Sequence, residues 1–251
     1  MSTPEPIRPE PSLVRRDLTA YGTDAPLAVQ RTAIVAGVFA LTMIAGAIAS
    51  SVVIMAVALF ATFAAGVTGL ALVWSSRVGK LRERVLIVDD LELTPEHRVL
   101  DIGCGRGLLT VEVARRLGAG VAIGVDLWRE DADPSAVPTV LWDNASIEGV
   151  DDRVEVAVGD ARSLPVPDES FDVVVSASTF RGLGDAETRA QAIGEAARVV
   201  RPGGRVTIVD TRHTKAYATA LRSLGWTVTR SKRSWSMFPP VRTVTAMRPT
   251  T

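Results

Sequence analysis

The stretch from Thr32 through Trp74 contains no aspartate, glutamate, lysine, arginine or histidine, and small and aliphatic residues dominate it. A single helix of that length would be about 65 Å long, roughly twice the hydrocarbon thickness of a bilayer. A break near Ala49-Ser50-Ser51 therefore predicts a transmembrane hairpin with helices at about 32–49 and 52–74. The uncharged stretch is too long, and lacks the polar face, to be two helices in the core of a soluble protein.

Basic residues flank both ends of the uncharged stretch, namely Arg15, Arg16 and Arg31 before it and Arg77, Lys80, Arg82 and Arg84 after it. The positive-inside rule then predicts a multi-pass protein of the cell membrane with both termini cytoplasmic. A secretory signal peptide is the alternative, because Ala47-Ile48-Ala49 has the form of a cleavage site. The acidic residues before the stretch and the second apolar run after it disfavour that alternative.

Composition narrows the remaining possibilities. Residues 1–31 are rich in proline and mixed charges, which predicts a mostly disordered cytosolic tail.

The 28 basic and 28 acidic residues cancel, so no global positive field favours a nucleic acid as partner. Because Cys104 is the single cysteine and the chain has only two histidines, no metal site is expected. Self-association through the two apolar helices is a further expectation.

A glycine-rich loop follows the apolar strand that begins at Val99. Gly103, Gly105 and Gly107 alternate there, and Asp101 precedes them. Glycine adopts positive φ without strain and lets main-chain N–H groups approach a ligand at the start of the next helix. The loop therefore predicts a site for a nucleotide-like cofactor. The dinucleotide fingerprint fails, because Leu108 stands where its third glycine would be.

The next apolar run, 121–126, ends in Asp126, where a carboxylate can accept both hydroxyls of a ribose. Further strands are predicted at 153–158, 171–177, 204–210, 226–232 and 241–248, and helices at 77–93, 107–117, 135–148, 186–200 and 215–224. This alternation predicts an α/β domain with a parallel sheet covered on both faces.

Five segments resemble, in order, the motifs of class I S-adenosylmethionine-dependent methyltransferases: Val99 to Gly107, Gly124-Val125-Asp126, Gly159-Asp160-Ala161, Phe171 to Ser176, and Arg201 to Gly204. The resemblance covers roughly residues 80–248. It implies a methyltransferase domain over 77–251 with a seven-stranded, mostly parallel, Rossmann-like sheet whose final strand is antiparallel. It also implies S-adenosylmethionine as the cofactor.

The resemblance implies roles for individual residues. Asp101 and the loop of Gly103, Cys104, Gly105 and Gly107 would cradle the methionine part of the cofactor. Asp126 would hold the ribose, and Asp160 with Ala161 would meet the adenine. Leu127 and Ser176 complete the cofactor-binding set that the resemblance implies.

Methyl transfer from a sulfonium is an in-line displacement, so alignment matters most and a dedicated base is optional. His213, just past the fifth strand, is a candidate base for a substrate hydroxyl. The chain lacks the motifs of nucleic-acid methylation, which favours a small-molecule or lipid acceptor, as in the quinone-biosynthesis-like branch of the family. Two alternatives stay open: a non-catalytic membrane protein with a cofactor-binding domain, and a nicotinamide-dependent oxidoreductase, which Leu108 and the missing Tyr-x-x-x-Lys pair disfavour.

Overall fold

The computed structural model describes residues 21, 26–129 and 137–250. Within this part the chain forms two compact units. The larger unit contains Tyr21 and the chain from Glu83 onward, except for residues 236–239. The smaller unit contains residues 26–82 together with residues 236–239.

A seven-stranded sheet forms the centre of the larger unit. Its strands are β1 (Arg98–Ile102), β2 (Val121–Asp126), β3 (Val154–Val158), β4 (Phe171–Ala177), β5 (Val200–Asp210), β6 (Thr227–Arg230) and β7 (Arg242–Met247). The strand order is β3-β2-β1-β4-β5-β7-β6, with β1 to β5 parallel and β7 antiparallel to both of its neighbours. The predicted α/β sheet, seven-stranded and mostly parallel with an antiparallel final strand, is confirmed.

Helices follow the strands in the alternation that the sequence predicts. They are α3 (Lys80–Asp89), α4 (Leu108–Ala114), α5 (Pro138–Ile147), α6 (Ala186–Val199) and α7 (Thr214–Ser223). Helix α6 begins where the side chain of Asp185 accepts a hydrogen bond from the Thr188 amide, which is an N-cap. Its alanine and isoleucine face is buried with Leu221 of α7 against the valines of β4 and β5. Burial of this apolar surface is the main force that stabilises the unit.

Strand β5 is longer than the predicted 204–210, because it begins at Val200 and includes Pro202 and Gly203. The Pro-Gly-Gly sequence was interpreted as a turn that precedes the strand. The pairing of β5 with β4 instead shifts register between Phe171 and Val173, and this irregularity accommodates the extra residues within the strand. The predicted helix 77–93 is also divided differently, since a π-helical turn at Ser75–Gly79 precedes α3 and the helix ends at Asp89. Residues 135 and 136 of the predicted helix 135–148 lie outside the described residues.

Two apolar helices, α1 (Pro26–Ile48) and α2 (Val52–Trp74), form most of the smaller unit. The side chain of Ser51 accepts from the Ile54 amide and caps α2, so the chain reverses at Ala49-Ser50-Ser51 as predicted. Helix α2 continues through the π-helical turn into α3, giving unbroken helix from Val52 to Asp89.

The prediction for residues 1–31 requires a correction at its end. Helix α1 starts at Pro26 rather than at residue 32, because proline suits the first turn of a helix and a single arginine, Arg31, is tolerated on an exposed helix face. Tyr21 also has fixed partners: its hydroxyl donates to Glu148, and the Arg84 guanidinium lies over its ring. The rest of the predicted disordered tail, residues 1–20 and 22–25, lies outside the described residues.

Small residues let α1 and α2 pack closely at two points. A Cβ added to Gly46 would lie 2.8 Å from Cγ2 of Ile54, and one added to Gly69 would lie 3.0 Å from Oγ1 of Thr32. Gly37 and Gly66 face open space instead. Two of the four glycines in these helices therefore serve close helix packing, as small residues do between apolar helices.

Candidate functional site

The glycine loop lies at the carboxyl edge of the parallel strands, between β1 and α4. Gly103, Gly105 and Gly107 have φ values of 73°, 52° and 80°, which L side chains rarely adopt. A Cβ on Gly103 would lie 2.1 Å from Oγ1 of Thr179, whereas a Cβ on Gly105 would meet nothing within 4 Å. The loop is therefore packed on its inner side at Gly103 and open at Gly105, where a ligand can approach the backbone.

Asp126 closes onto this loop from the end of β2. Its two carboxylate oxygens accept hydrogen bonds from the amides of Gly105 and Trp128, each at 2.9 Å. The Trp128 indole N–H donates in turn to the Gly105 carbonyl at 3.0 Å. Each carboxylate oxygen retains a free acceptor direction, so the group can still accept a pair of hydroxyls, as predicted for a ribose.

Trp128 is a site residue that the sequence analysis missed. Its positive φ of 44° and its bond to the loop carbonyl bring it against Gly105. The only signal in the sequence is an aromatic residue two positions after Asp126, which does not indicate contact with a loop more than twenty residues earlier.

Asp101 is buried beneath the loop at the end of β1. The Thr110 hydroxyl of α4 donates to its Oδ2 at 2.7 Å. Burial raises the pKa of Asp101 to about 7, the nearby Asp126 carboxylate adds to the rise, and the bonds from Thr110 oppose it. A buried carboxyl that titrates near neutrality beside a ligand loop is characteristic of functional sites.

Cys104 lies under the same loop and is buried. The amides of Gly103 and Cys104 both donate to the Val125 carbonyl of β2, at 2.7 and 3.3 Å, and this holds the loop over the strand. Burial raises the pKa of the Cys104 thiol well above its usual value, with Asp101 and Asp126 contributing. The thiol therefore packs the loop and is not an activated nucleophile.

The end of β3 supplies the predicted adenine side of the site. Leu127, after β2, is exposed, and Ala161 is buried. The Asp160 carboxylate is paired with the guanidinium of Arg162, whose Nε lies 2.9 Å from both oxygens, and this pair lowers the pKa of Asp160. A contact of Asp160 with adenine would compete with this ion pair.

Ser176 has a different role from the one that the resemblance implies. Its side chain is buried in β4, and its hydroxyl donates to the Ile102 carbonyl at 2.7 Å. The hydroxyl therefore joins β4 to the end of β1 and is not presented at the edge of the sheet. Asp172, at the other end of β4, bonds to the Arg98 amide and to Arg201 and is structural.

The carboxyl end of β5 carries a second buried carboxylate, Asp210, which sequence reasoning also missed. It accepts hydrogen bonds from the amides of Arg181 and Thr211, at 2.9 and 2.7 Å, and from the Tyr217 hydroxyl at 3.2 Å. Burial and the Asp210 charge raise the pKa of Tyr217. Asp210 thus fixes the segment after β4, where Ser178 has a positive φ of 63°.

His213 is exposed and precedes α7, with a φ of 58°. It lies after β5, on the same edge of the sheet as the glycine loop, and its side chain forms no cap of the helix. Among residues 21, 26–129 and 137–250, no group of three or more His, Cys, Asp or Glu side chains could hold a metal ion.

Residues 100–208 match the model of the family described as "Methyltransferase domain". The chain is 34% identical over 142 residues to 27-O-demethylrifamycin SV methyltransferase of Amycolatopsis mediterranei. The matched region is 55% of this chain and 48% of that protein. It is 30% identical over 128 residues to a ubiquinone/menaquinone biosynthesis C-methyltransferase of Geotalea daltonii, with 51% of each chain covered. The chain therefore spans about half the length of the curated relatives it matches.

Solved structures share the fold at low sequence identity. A SAM-dependent methyltransferase from Aquifex aeolicus gives a TM-score of 0.53 at 20% identity, covering 67% of this chain and 90% of that one. The [4+2]-cyclase SpnF gives 0.56 at 20% identity, covering 68% and 82%. This likeness shows the fold alone, since one fold supports different reactions.

The matched segment and the named relatives make this chain similar to methyltransferases over about half of its length, and the solved structures share its α/β fold. The segment that matches the family model, residues 100–208, includes the glycine loop, Asp126, Asp160 and Ser176.

Proposed function

We propose that this protein transfers a methyl group from S-adenosylmethionine to a small, lipophilic acceptor at the cytoplasmic surface of a membrane. The observation that carries the proposal is the arrangement of Asp126 against the open side of Gly105. A carboxylate that can accept hydrogen bonds, beside a partly buried glycine whose open side faces no other atom, fits a ribose and the group attached to it.

The cofactor supplies an electrophilic methyl group on a sulfonium. The chain's own residues bind and orient it: Asp126 faces the ribose, and the loop from Gly103 to Gly107 with Asp101 faces the amino acid part. The segment after β4, held by Asp210, forms a wall on which the acceptor is aligned. Alignment of this kind accounts for most of the rate gain in a displacement reaction. His213 takes the proton when the acceptor is a hydroxyl.

The membrane part of the proposal depends on α1 and α2. Each has 23 residues, or about 35 Å of helix, which matches the hydrocarbon thickness of a bilayer. Their most apolar windows have mean hydropathies of 1.8 and 2.2, and only 6% of each window is buried. Side chains such as Leu41 and Phe60 are 68% and 75% exposed, an apolar surface that water disfavours and lipid accommodates.

The acceptor class follows from this placement and from the relatives. One relative is named for ubiquinone/menaquinone biosynthesis, another for demethylmenaquinone and a third for 27-O-demethylrifamycin SV. An acceptor dissolved in the bilayer suits an enzyme anchored there. The multi-pass topology with cytoplasmic termini, and self-association through the helices, belong to the same proposal.

Binding of S-adenosylhomocysteine tests the cofactor site. Asp126→Asn should weaken binding to the detergent-solubilised full chain by roughly 10- to 100-fold, because hydrogen bonds to a charged group are lost. Titration calorimetry measures the affinity. Asp151→Asn is the matched control, since Asp151 is exposed and precedes β3 at the opposite edge of the sheet. An unchanged affinity in the Asp126 variant, or tighter binding of NAD, would contradict the proposal.

Turnover tests the catalytic part. Incubation with methyl-labelled S-adenosylmethionine and a membrane lipid extract should place the label in the lipid-soluble fraction, with identification of the product by mass spectrometry. For a hydroxyl acceptor, His213→Gln should lower kcat by about 100-fold or more while the affinity for S-adenosylhomocysteine stays unchanged. Binding without transfer to any fraction would favour a non-catalytic membrane protein instead.

A further inference from the structure

The connection between β6 and β7 lies at the same edge of the sheet as the glycine loop. Arg242, the first residue of β7, pairs with Asp210 at the carboxyl end of β5. Arg230, the last residue of β6, pairs with Val244. The connection from Ser231 to Val241 therefore projects from the edge where the acceptor must enter.

Main-chain and side-chain bonds hold the base of this connection. Ser234 and Val241 exchange two backbone hydrogen bonds, of 2.8 and 3.2 Å. The Ser234 hydroxyl donates to Glu83 at 2.8 Å, and the Thr243 amide donates to the Ser231 hydroxyl at 2.9 Å. These bonds fix the position of the residues between Ser234 and Val241 relative to the sheet.

Four cations surround the base: Arg230, Lys232, Arg233 and Arg242. Arg230 donates to the Thr214 hydroxyl and Arg242 to the Ser231 carbonyl, both neutral acceptors. In the described part of the chain, none of the four forms an ion pair with a carboxylate. Desolvation lowers the pKa of Arg242, and the nearby charges of Arg230 and Arg233 lower it further. Such crowding of like charges is unfavourable unless an anion binds there.

Trp235 lies two residues after Arg233, and 67% of its surface is exposed. An exposed tryptophan beside lysine and arginine is the side-chain combination found at the boundary between lipid head groups and acyl chains. The residues that come next, Ser236–Pro239, pack on the end of the second apolar helix. The Phe238 amide donates to the Ser75 hydroxyl at 2.8 Å, and a Cβ on Gly79 would lie 2.2 Å from the Ser236 carbonyl. Trp235 is thus tied by the chain to the end of a candidate membrane span.

We propose that the first part of this connection, Ser231 to Trp235, together with Arg230 and Arg242 at its base, binds anionic phospholipid head groups, with the four cations facing phosphate and Trp235 entering the interface. This inference rests on the membrane placement in the proposed function.

Tryptophan quenching by brominated lipid tests the inference on the full chain. The protein is reconstituted in phosphatidylcholine vesicles with and without phosphatidylglycerol, and the acyl chains are brominated near the head group. The contribution of Trp235 is the difference between the native chain and Trp235→Phe. It should be quenched at least about twofold more when phosphatidylglycerol is present, because each cation adds attraction to an anionic surface. The double variant Lys232→Glu, Arg233→Glu should lose this difference.

Trp74, at the end of α2, provides the control for membrane insertion. Its contribution, obtained with Trp74→Phe, should be quenched in both kinds of vesicle and in the charge-reversed variant. Quenching of Trp74 without quenching of Trp235, or equal quenching of Trp235 in both kinds of vesicle, overturns the head-group inference and leaves the anchor standing. Absence of both signals overturns the membrane placement itself.

Two further measurements complete the design. S-adenosylhomocysteine affinity within about threefold of the native value shows that each variant is folded, since the altered residues lie outside the cofactor loop. Inorganic phosphate is compared with chloride at matched ionic strength, so that general screening affects both equally. If phosphate binds the detergent-solubilised chain but not its charge-reversed variant, and the Trp235 signal does not depend on phosphatidylglycerol, the cations serve a soluble phosphorylated ligand, and the lipid inference is wrong.

Discussion

At the scale of single residues, Asp101 is the group that we expect to couple protonation to cofactor binding. Its pKa of about 7 means that it holds a proton in a large part of the ligand-free molecules at neutral pH. The amino acid part of the cofactor carries an ammonium group and a sulfonium, and a cation nearby favours the charged carboxylate. Binding should therefore release the proton.

We predict that S-adenosylmethionine affinity rises with pH between about 5 and 7, by up to tenfold per unit, and levels off above about 8. Calorimetry at pH 7 in buffers of different ionisation enthalpy should detect the release of about half a proton per site. In Asp101→Asn, both the pH dependence and the proton release should disappear. Persistence of either one in the variant would assign the proton to another group.

Asp101 also makes the free energy of unfolding depend on pH. Because folding raises the pKa of Asp101, the folded state binds more protons than the unfolded state between about pH 4 and 7. The contribution of this residue to the free energy of unfolding is therefore fully present below about pH 4 and is lost as the pH rises through about 7.

At the scale of elements, the segment after β4 depends on Asp210. Asp210→Asn replaces an acceptor by an amide that cannot satisfy all three donors, from Arg181, Thr211 and Tyr217. The free energy of unfolding should fall by about 1–3 kcal/mol. Thermal unfolding measures the loss, and Tyr217→Phe, which removes one of the three bonds, should cost about 1 kcal/mol. Equal losses in the two variants would contradict a role for Asp210 in holding the segment.

Elements also show what the sequence could and could not predict. The glycine loop and Asp126 follow their strands directly, so local patterns were enough to predict them and the parallel order around them. Trp128, Asp210 and Ser176 act through partners more than twenty residues away in the chain or across a strand, and a single sequence carries no signal for such pairs. The start of α1 was misplaced because Arg31 was interpreted as a boundary, whereas helix formation depends on the backbone and begins at Pro26.

At the scale of the whole molecule, the hairpin predicts a topology that can be tested in cells. In a Cys104→Ala background, a cysteine at Ser50, in the turn between α1 and α2, should react with a membrane-impermeant maleimide applied outside intact cells. A cysteine at Thr250 should react only after the cells are permeabilised. The opposite result, or equal labelling of both, would contradict cytoplasmic termini.

The buried position of Cys104 has a consequence for the whole chain, because it is the only thiol that the chain contains. A sulfhydryl reagent can reach it only when the glycine backbone lifts away from the Val125 carbonyl. The alkylation rate of Cys104 in the native protein therefore reports how often the glycine loop opens locally in the absence of substrate.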